Sequence, residues 1–235
     1  MIRFPSLCLL IFVFASHATA ATVQKYSDSM SLGAGFIYVN NKQLDMNSAI
    51  DDANNIGAGV PNLGHAWEFY AQWTTLIQYS NLTLILRPSY FEQSAHNGSI
   101  LYKLSGTTIF PIVRMHVTDL PGMNLFIQGG VGYGELRGEI DISNKTLNFS
   151  GNGLGVLAGV GADTCVSDRH CFNLELNVRN LSIPRNTSTG GNCVNSGDIP
   201  GITRCYVDSE VERNYSDLKT NMSGTQMLLG YFYRY

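Results

Sequence analysis

Apolar and polar residues alternate with a period of two along most of this chain, the mark of two-faced strands rather than helices. From Trp67 the series Trp67, Phe69, Ala71 and Trp73 is interleaved with Glu68, Tyr70, Gln72 and Thr74. Leu82, Leu84, Leu86, Pro88 and Tyr90 alternate with Thr83, Ile85, Arg87 and Ser89. The same beat runs through Ile109 to Val117, Leu125 to Tyr133, Leu154 to Ala162 and Phe172 to Val178. With a first strand at Leu32 to Val39 and a last at Thr225 to Tyr235, it predicts eight strands.

The connections between them fall at 40–63, 80–81, 92–104, 119–122, 138–152, 167–170 and 180–220, long and short in strict alternation. An antiparallel up-and-down barrel whose two ends meet different environments produces this order; a sandwich with crossovers has no reason to. Strands of about ten residues also match the 9 to 11 that cross a bilayer at a tilt. Closure leaves no unpaired strand edge in lipid, where each unsatisfied backbone group costs several kcal/mol. The expected fold is therefore all-β: an eight-stranded transmembrane barrel over 30–235, with short periplasmic turns and long extracellular loops.

Periodicity does not say which face meets lipid. Side-chain chemistry does: Glu68, Arg87, Arg114 and Glu175 share one face with Arg179, Gln72, Gln128, Asn173 and Asn177, suiting a hydrogen-bonded lumen. The opposite face is almost free of charge, and Trp67, Tyr79, Tyr90, Tyr133, Phe172, Tyr231 and Tyr235 lie near strand ends, where aromatic girdles belong. Only 14% of residues are charged, against about 25% in soluble domains. A net charge of −3 provides no basic footprint, which disfavours nucleic acid as a partner.

Met1 to Arg3 is basic, Phe4 to Ala15 apolar, and Ala18-Thr19-Ala20 small, so residues 1–20 read as a signal peptide, with 21–29 a periplasmic lead-in. Beyond it remain Cys165, Cys171, Cys193 and Cys205, an even set for an oxidising compartment. Spacing favours Cys165 with Cys171 and Cys193 with Cys205, although four cysteines allow three pairings. Neither pair has the spacing of zinc ligands, and no motif calls for a metal or cofactor.

The terminal "GYFYRY", with Gly230, Tyr233 and Tyr235, together with "FIQGGVGYGELRG" and "GVLAGVGADTCVSDRHCFNLELNVRNL", resembles the small OmpA/OmpX-like outer-membrane barrels. The chain departs from that terminal pattern at Leu228 and by ending in tyrosine. The resemblance implies an outer-membrane location, lipid as surroundings, and recognition of the last strand by the barrel-assembly machinery. It carries over no catalytic residue.

An eight-stranded barrel is just wide enough for its own side chains, so a wide diffusion pore is not expected. The expected role is a surface anchor presenting long loops to a host or other extracellular ligand, the 180–220 loop with its Cys193–Cys205 staple foremost. Lipid A-modifying enzymes share this architecture, but His65, His96, His116 and His170 offer no convincing triad; the nearest, His116 with Thr118 and Asp119, sits at a periplasmic turn. Eight Asn-x-Ser/Thr sequons, from Asn81 to Asn221, keep open a second reading: a secreted soluble β-barrel or sandwich binding a small apolar ligand.

Overall fold

A computed structural model of the chain describes residues 30–77, 81–120, 123–142 and 144–235. The expected signal peptide and lead-in, Tyr79, and parts of two short turns lie outside the described residues. Seven strands come first: β1 (Ser31–Asn40), β2 (His65–Leu76), β3 (Leu82–Asn97), β4 (Ile100–Leu120), β5 (Met123–Ile142), β6 (Lys145–Cys165) and β7 (His170–Ile183). Short strands β8 (Thr187–Gly191), β9 (Ile202–Arg204), β10 (Glu212–Arg213), β11 (Ser216–Asp217) and β12 (Thr220–Asn221) follow, and β13 (Gly224–Arg234) ends the series. Strand β13 lies antiparallel to β1, from Ser31↔Arg234 to Asn40↔Thr225, and to β7, from Gly224↔Arg179 to Tyr233↔His170. Each of β1 to β7 also pairs with its sequence neighbour, so β1 to β7 and β13 close an eight-stranded antiparallel barrel.

The barrel is apolar outside and polar within. Leu154 is 79% exposed and Val178 62%, whereas Glu68 and Glu175 are both fully buried. A soluble barrel binding an apolar ligand needs the opposite arrangement, so that second reading is overturned. The outward belt, for example Phe69 and Ala71 on β2, Ile127 and Val131 on β5 and Leu174 and Leu176 on β7, carries no charge from Leu32 to Tyr231. At mid-bilayer an outward arginine or lysine would cost about 2 to 4 kcal/mol. Tyr38, Trp67, Tyr90 and Tyr133 form one aromatic rim of the belt and Trp73, Phe172, Tyr231 and Tyr235 the other, adding Tyr38 and Trp73 to the expected girdles.

Above the first rim the inside and outside exchange character. On β3 the outward apolar series ends at Tyr90 and an inward one begins at Phe91, continuing with Ala95. Tyr102 and Leu104 on β4, Leu136 and Ile140 on β5, and Leu147 and Phe149 on β6 likewise point inward, with Lys103, Arg137, Glu139 and Asn148 outward. The strands thus continue past the membrane as an ordinary water-facing sheet over an apolar core.

This corrects two expected loops. Residues 92–104 and 138–152 are not irregular connections but the upper halves of two hairpins, with turns at Gly98 and Asn144, where φ is +58° and +69°. The 40–63 connection contains a helix, α1 (Leu44–Asn54), which the β-only expectation missed. It buries Met46, Ala49, Ile50 and Ala53 across the mouth of the sheet. Asn47 and Asn54 fasten the following segment to it: their side-chain amides exchange hydrogen bonds of 2.7 to 2.9 Å with the backbone of Leu63 and Val60. The 180–220 excursion is folded too. Its β8 extends the sheet beside β6, β12 pairs with β7, and β9 to β11 form a separate small sheet.

Candidate functional site

Two regions hold the buried polar chemistry and the outward display: the barrel lumen and the head above it. The lumen is stacked in tiers. Nearest the short turns, the Arg114 guanidinium lies 3.6 Å from the Phe126 ring centre and 3.0 Å from Asp163. In the middle, Glu175 accepts six hydrogen bonds: two of 2.8 Å from Arg87, one of 2.6 Å from Arg114, and three from Gln128, Asn173 and Asn177. Higher still, Arg179 pairs with Glu68, which also accepts from Ser89 at 3.1 Å.

Of the four lumen residues singled out from sequence, the fold gathers Arg87, Arg114 and Glu175 into one cluster and places Glu68 in a different tier. Arg179, read from sequence on the same polar face, pairs with Glu68. Asp163 completes the set and was not singled out, although it shares the parity of Gly155, Gly159 and Gly161 on β6. Three arginines and three carboxylates then balance within the barrel, which lowers the cost of removing each from water. The inward glycines of β6 do not leave the lumen empty. A side chain at Gly161 would strike Phe126, and one at Gly159 would strike Asn177.

The tiers end at a dry seal. Phe91, Tyr102, Leu104, Leu136 and Phe149 project from the sheet into the space under α1, where Met46 and Ile50 meet them. At the opposite end a cavity of about 30 Å³ opens, lined among others by Gln72, Thr83, His116 and Asp163, room for a water or two. Burial pushes the Tyr102 phenol above its ordinary range, and Asp52 adds to the effect.

Both disulfides join the cysteines by nearest spacing. Cys165–Cys171 closes the β6–β7 turn, and Cys193–Cys205 staples the head. Around the second bond, Asp198 accepts from the backbone N–H of Val194 and Asn195 at 2.9 and 3.0 Å and lies 3.1 Å from Lys145. Those partners hold its carboxyl down at about 2. Arg213 reaches Asp52 of α1 at 2.8 Å, and Lys219 N–H donates to Asp45. Gly230 faces inward beneath Tyr70, while Tyr233 and Tyr235 lie at the outward short-turn rim.

The histidines are scattered. His65 stacks on Tyr38 at one rim, His170 on Tyr231 at the other, His96 is exposed near a hairpin tip, and His116 Nε2 is 3.1 Å from the Thr83 hydroxyl.

A closed barrel with a neutral charged lumen and a charge-free apolar exterior defines the class: an integral β-barrel of the outer-membrane type. Among solved structures the chain is similar to the outer membrane protein OprG from Pseudomonas aeruginosa, with a TM-score of 0.51 and 12% identity over 89% of this chain and 96% of that one. It is also similar to Ail, the attachment invasion locus protein of Yersinia pestis, solved with the heparin analogue sucrose octasulfate, at TM-score 0.45 and 9% identity over 89% and 99%. Neisserial surface protein A gives 0.40 and 12% over 88% and 96%. The likeness to OprG is one of fold, that of an outer-membrane barrel, and does not single out the OmpA/OmpX branch. No protein-family profile matches the chain. No curated protein matches it in sequence.

Proposed function

We propose that the protein is a sealed membrane anchor that holds a folded head outside the cell for contact with an extracellular partner. One observation carries this reading: the long excursions form a packed head whose crown still exposes large apolar groups. Tyr215 is 86% exposed, Ile56 77% and Leu44 75%. Tyr215 and Asn214 occupy a tight turn with φ of +63° and +49°. Non-glycine residues rarely adopt that conformation, and they persist in it where the surrounding structure fixes them. Exposed tyrosine on a rigid support is a frequent binding anchor.

Charge narrows the partner. Across 40–63, 92–104, 138–152 and 180–220 the chain has seven lysines and arginines against eleven aspartates and glutamates. Such a head repels a polyanion and suits a neutral or basic surface. A diffusion channel is not supported, because the six lumen charges are mutually paired and the apolar seal lies across the path. Nor is catalysis supported: among the described residues the histidines do not converge with a nucleophile and an orienting acid. Assembly through the last strand, read from Gly230, Tyr233 and Tyr235, belongs to this proposal as well.

The test is cell attachment together with conductance. Cells displaying the wild-type protein should bind host-cell monolayers or arrayed matrix proteins, and Tyr215→Ala with Ile56→Ser should cut that binding at least about tenfold while the barrel assembles normally. Planar bilayers holding the protein should show no steady conductance. Equal attachment by the wild type and the double variant, or a stable open channel, would refute the proposal.

A further inference from the structure

Arg169 stands apart from most other arginines of this chain. Seven described arginines, 87, 114, 137, 179, 185, 204 and 213, each have a carboxylate within 4.0 Å. Arg169 has none; its Nη1 donates instead to the Tyr233 hydroxyl at 3.3 Å. It lies in the β6–β7 turn, exposed, beside the seam where β13 meets β7.

That seam carries further donors on its outer side. His170 Nδ1 is 2.6 Å from the Tyr231 hydroxyl, and the His170 ring packs edge-on to Tyr233 at 5.4 Å. Whichever of the pair donates, one N–H or O–H is left over: Nε2–H of His170 if Tyr231 donates, the Tyr231 O–H if His170 does. Tyr233 accepts from Arg169 and keeps its own proton to give. A guanidinium and two more donors are thus grouped on one outward patch. Just below it the apolar column of Phe172, Leu174 and Leu229 runs along the belt. A charged oxyanion at the rim above an apolar column is the outline of a phospholipid, and phosphate is an anion that guanidinium and hydroxyl donors bind well.

We propose that Arg169, His170, Tyr231 and Tyr233 form a headgroup site for the phosphodiester of a phospholipid in the periplasmic leaflet, whose acyl chain follows Phe172 and Leu174. The proposal rests on the membrane reading of the fold, but the two fail separately: the barrel can fold in lipid and still have no preference among lipids. Native mass spectrometry of the purified protein after detergent exchange would test it, with phosphatidylglycerol, phosphatidylethanolamine, uncharged diacylglycerol or inorganic phosphate added. One phospholipid should stay bound with either headgroup, diacylglycerol should not, and inorganic phosphate should not displace the phospholipid. Arg169→Gln should weaken retention about tenfold while leaving heat-modifiable gel migration unchanged. Should that variant fold poorly, Tyr231→Phe with His170→Leu removes the second donor pair and should weaken retention by the same measure. Equal retention of diacylglycerol, displacement by inorganic phosphate, or wild-type retention in the folded variants would each overturn the site.

Discussion

Glu175 is the residue on which the lumen turns. Two arginines and three amides converge on its carboxylate, so its removal leaves buried Arg87 without a carboxylate partner and Arg114 with Asp163 alone. Breaking one partner out of a buried ion cluster costs about 3 to 5 kcal/mol. Glu175→Ala should therefore lower barrel stability by that amount in urea titrations followed by tryptophan fluorescence in lipid vesicles, and Glu175→Gln by less, because the amide still accepts. Most of the charge inside was legible from sequence, since parity places Glu68, Arg87, Arg114, Glu175 and Arg179 on one face. Which acid meets which base was not: Arg87 and Glu175 are 88 positions apart, and only the stagger of the closed barrel brings them together.

The eight membrane-crossing strands were readable because their two faces differ so sharply. The upper halves of β3 to β6 were hidden for a physical reason. Where lipid gives way to water the favoured outward residue changes from apolar to polar, so the alternation shifts phase and looks like an interruption. Tyr90 and Phe91 sit side by side at such a shift. Helix α1 was visible in principle, as Met46, Ala49, Ile50 and Ala53 follow the i, i+3, i+4, i+7 rule. Its apolar stripe includes two alanines among asparagines and aspartates, which made the segment read as a loop.

Two predictions belong to the head's elements. Replacing Cys193 and Cys205 by serine frees a loop closed across 12 positions, a constraint of roughly 3 kcal/mol. Trypsin should then cut at Arg204 and Arg213 many times faster while the barrel band persists on gels. Asp198 gives the head a pH dependence. Because its folded carboxyl titrates at about 2, below the ordinary aspartate value of about 3.9, the stabilisation it provides is complete above about pH 5 and fades as pH falls toward 2. Hydrogen exchange at the Val194 and Asn195 amides should stay slow at pH 5 and, corrected for intrinsic rates, rise as pH approaches 2.

For the molecule as a whole, closure depends on β13, which is hydrogen-bonded to β1 on one side and β7 on the other. If the terminal aromatic pattern is also the assembly signal, Tyr233→Ser with Tyr235→Ser should abolish insertion in cells. The same variant, refolded from urea into detergent, should still form some barrel. Loss in both settings would assign the tyrosines to stability alone, and loss in neither would discard the signal.

The phase shift on β3 to β6 also sets a height. From Tyr133 to Ile142, β5 climbs nine positions beyond the lipid surface, about 30 Å of chain at 3.3 Å per residue and about 20 Å of elevation at the usual barrel tilt. Hydrogen-bonded sheet does not fold down as a tether would. The crown is therefore carried on a stiff mast, and the hairpin tip at Asn144 is held at a fixed standoff from the bilayer.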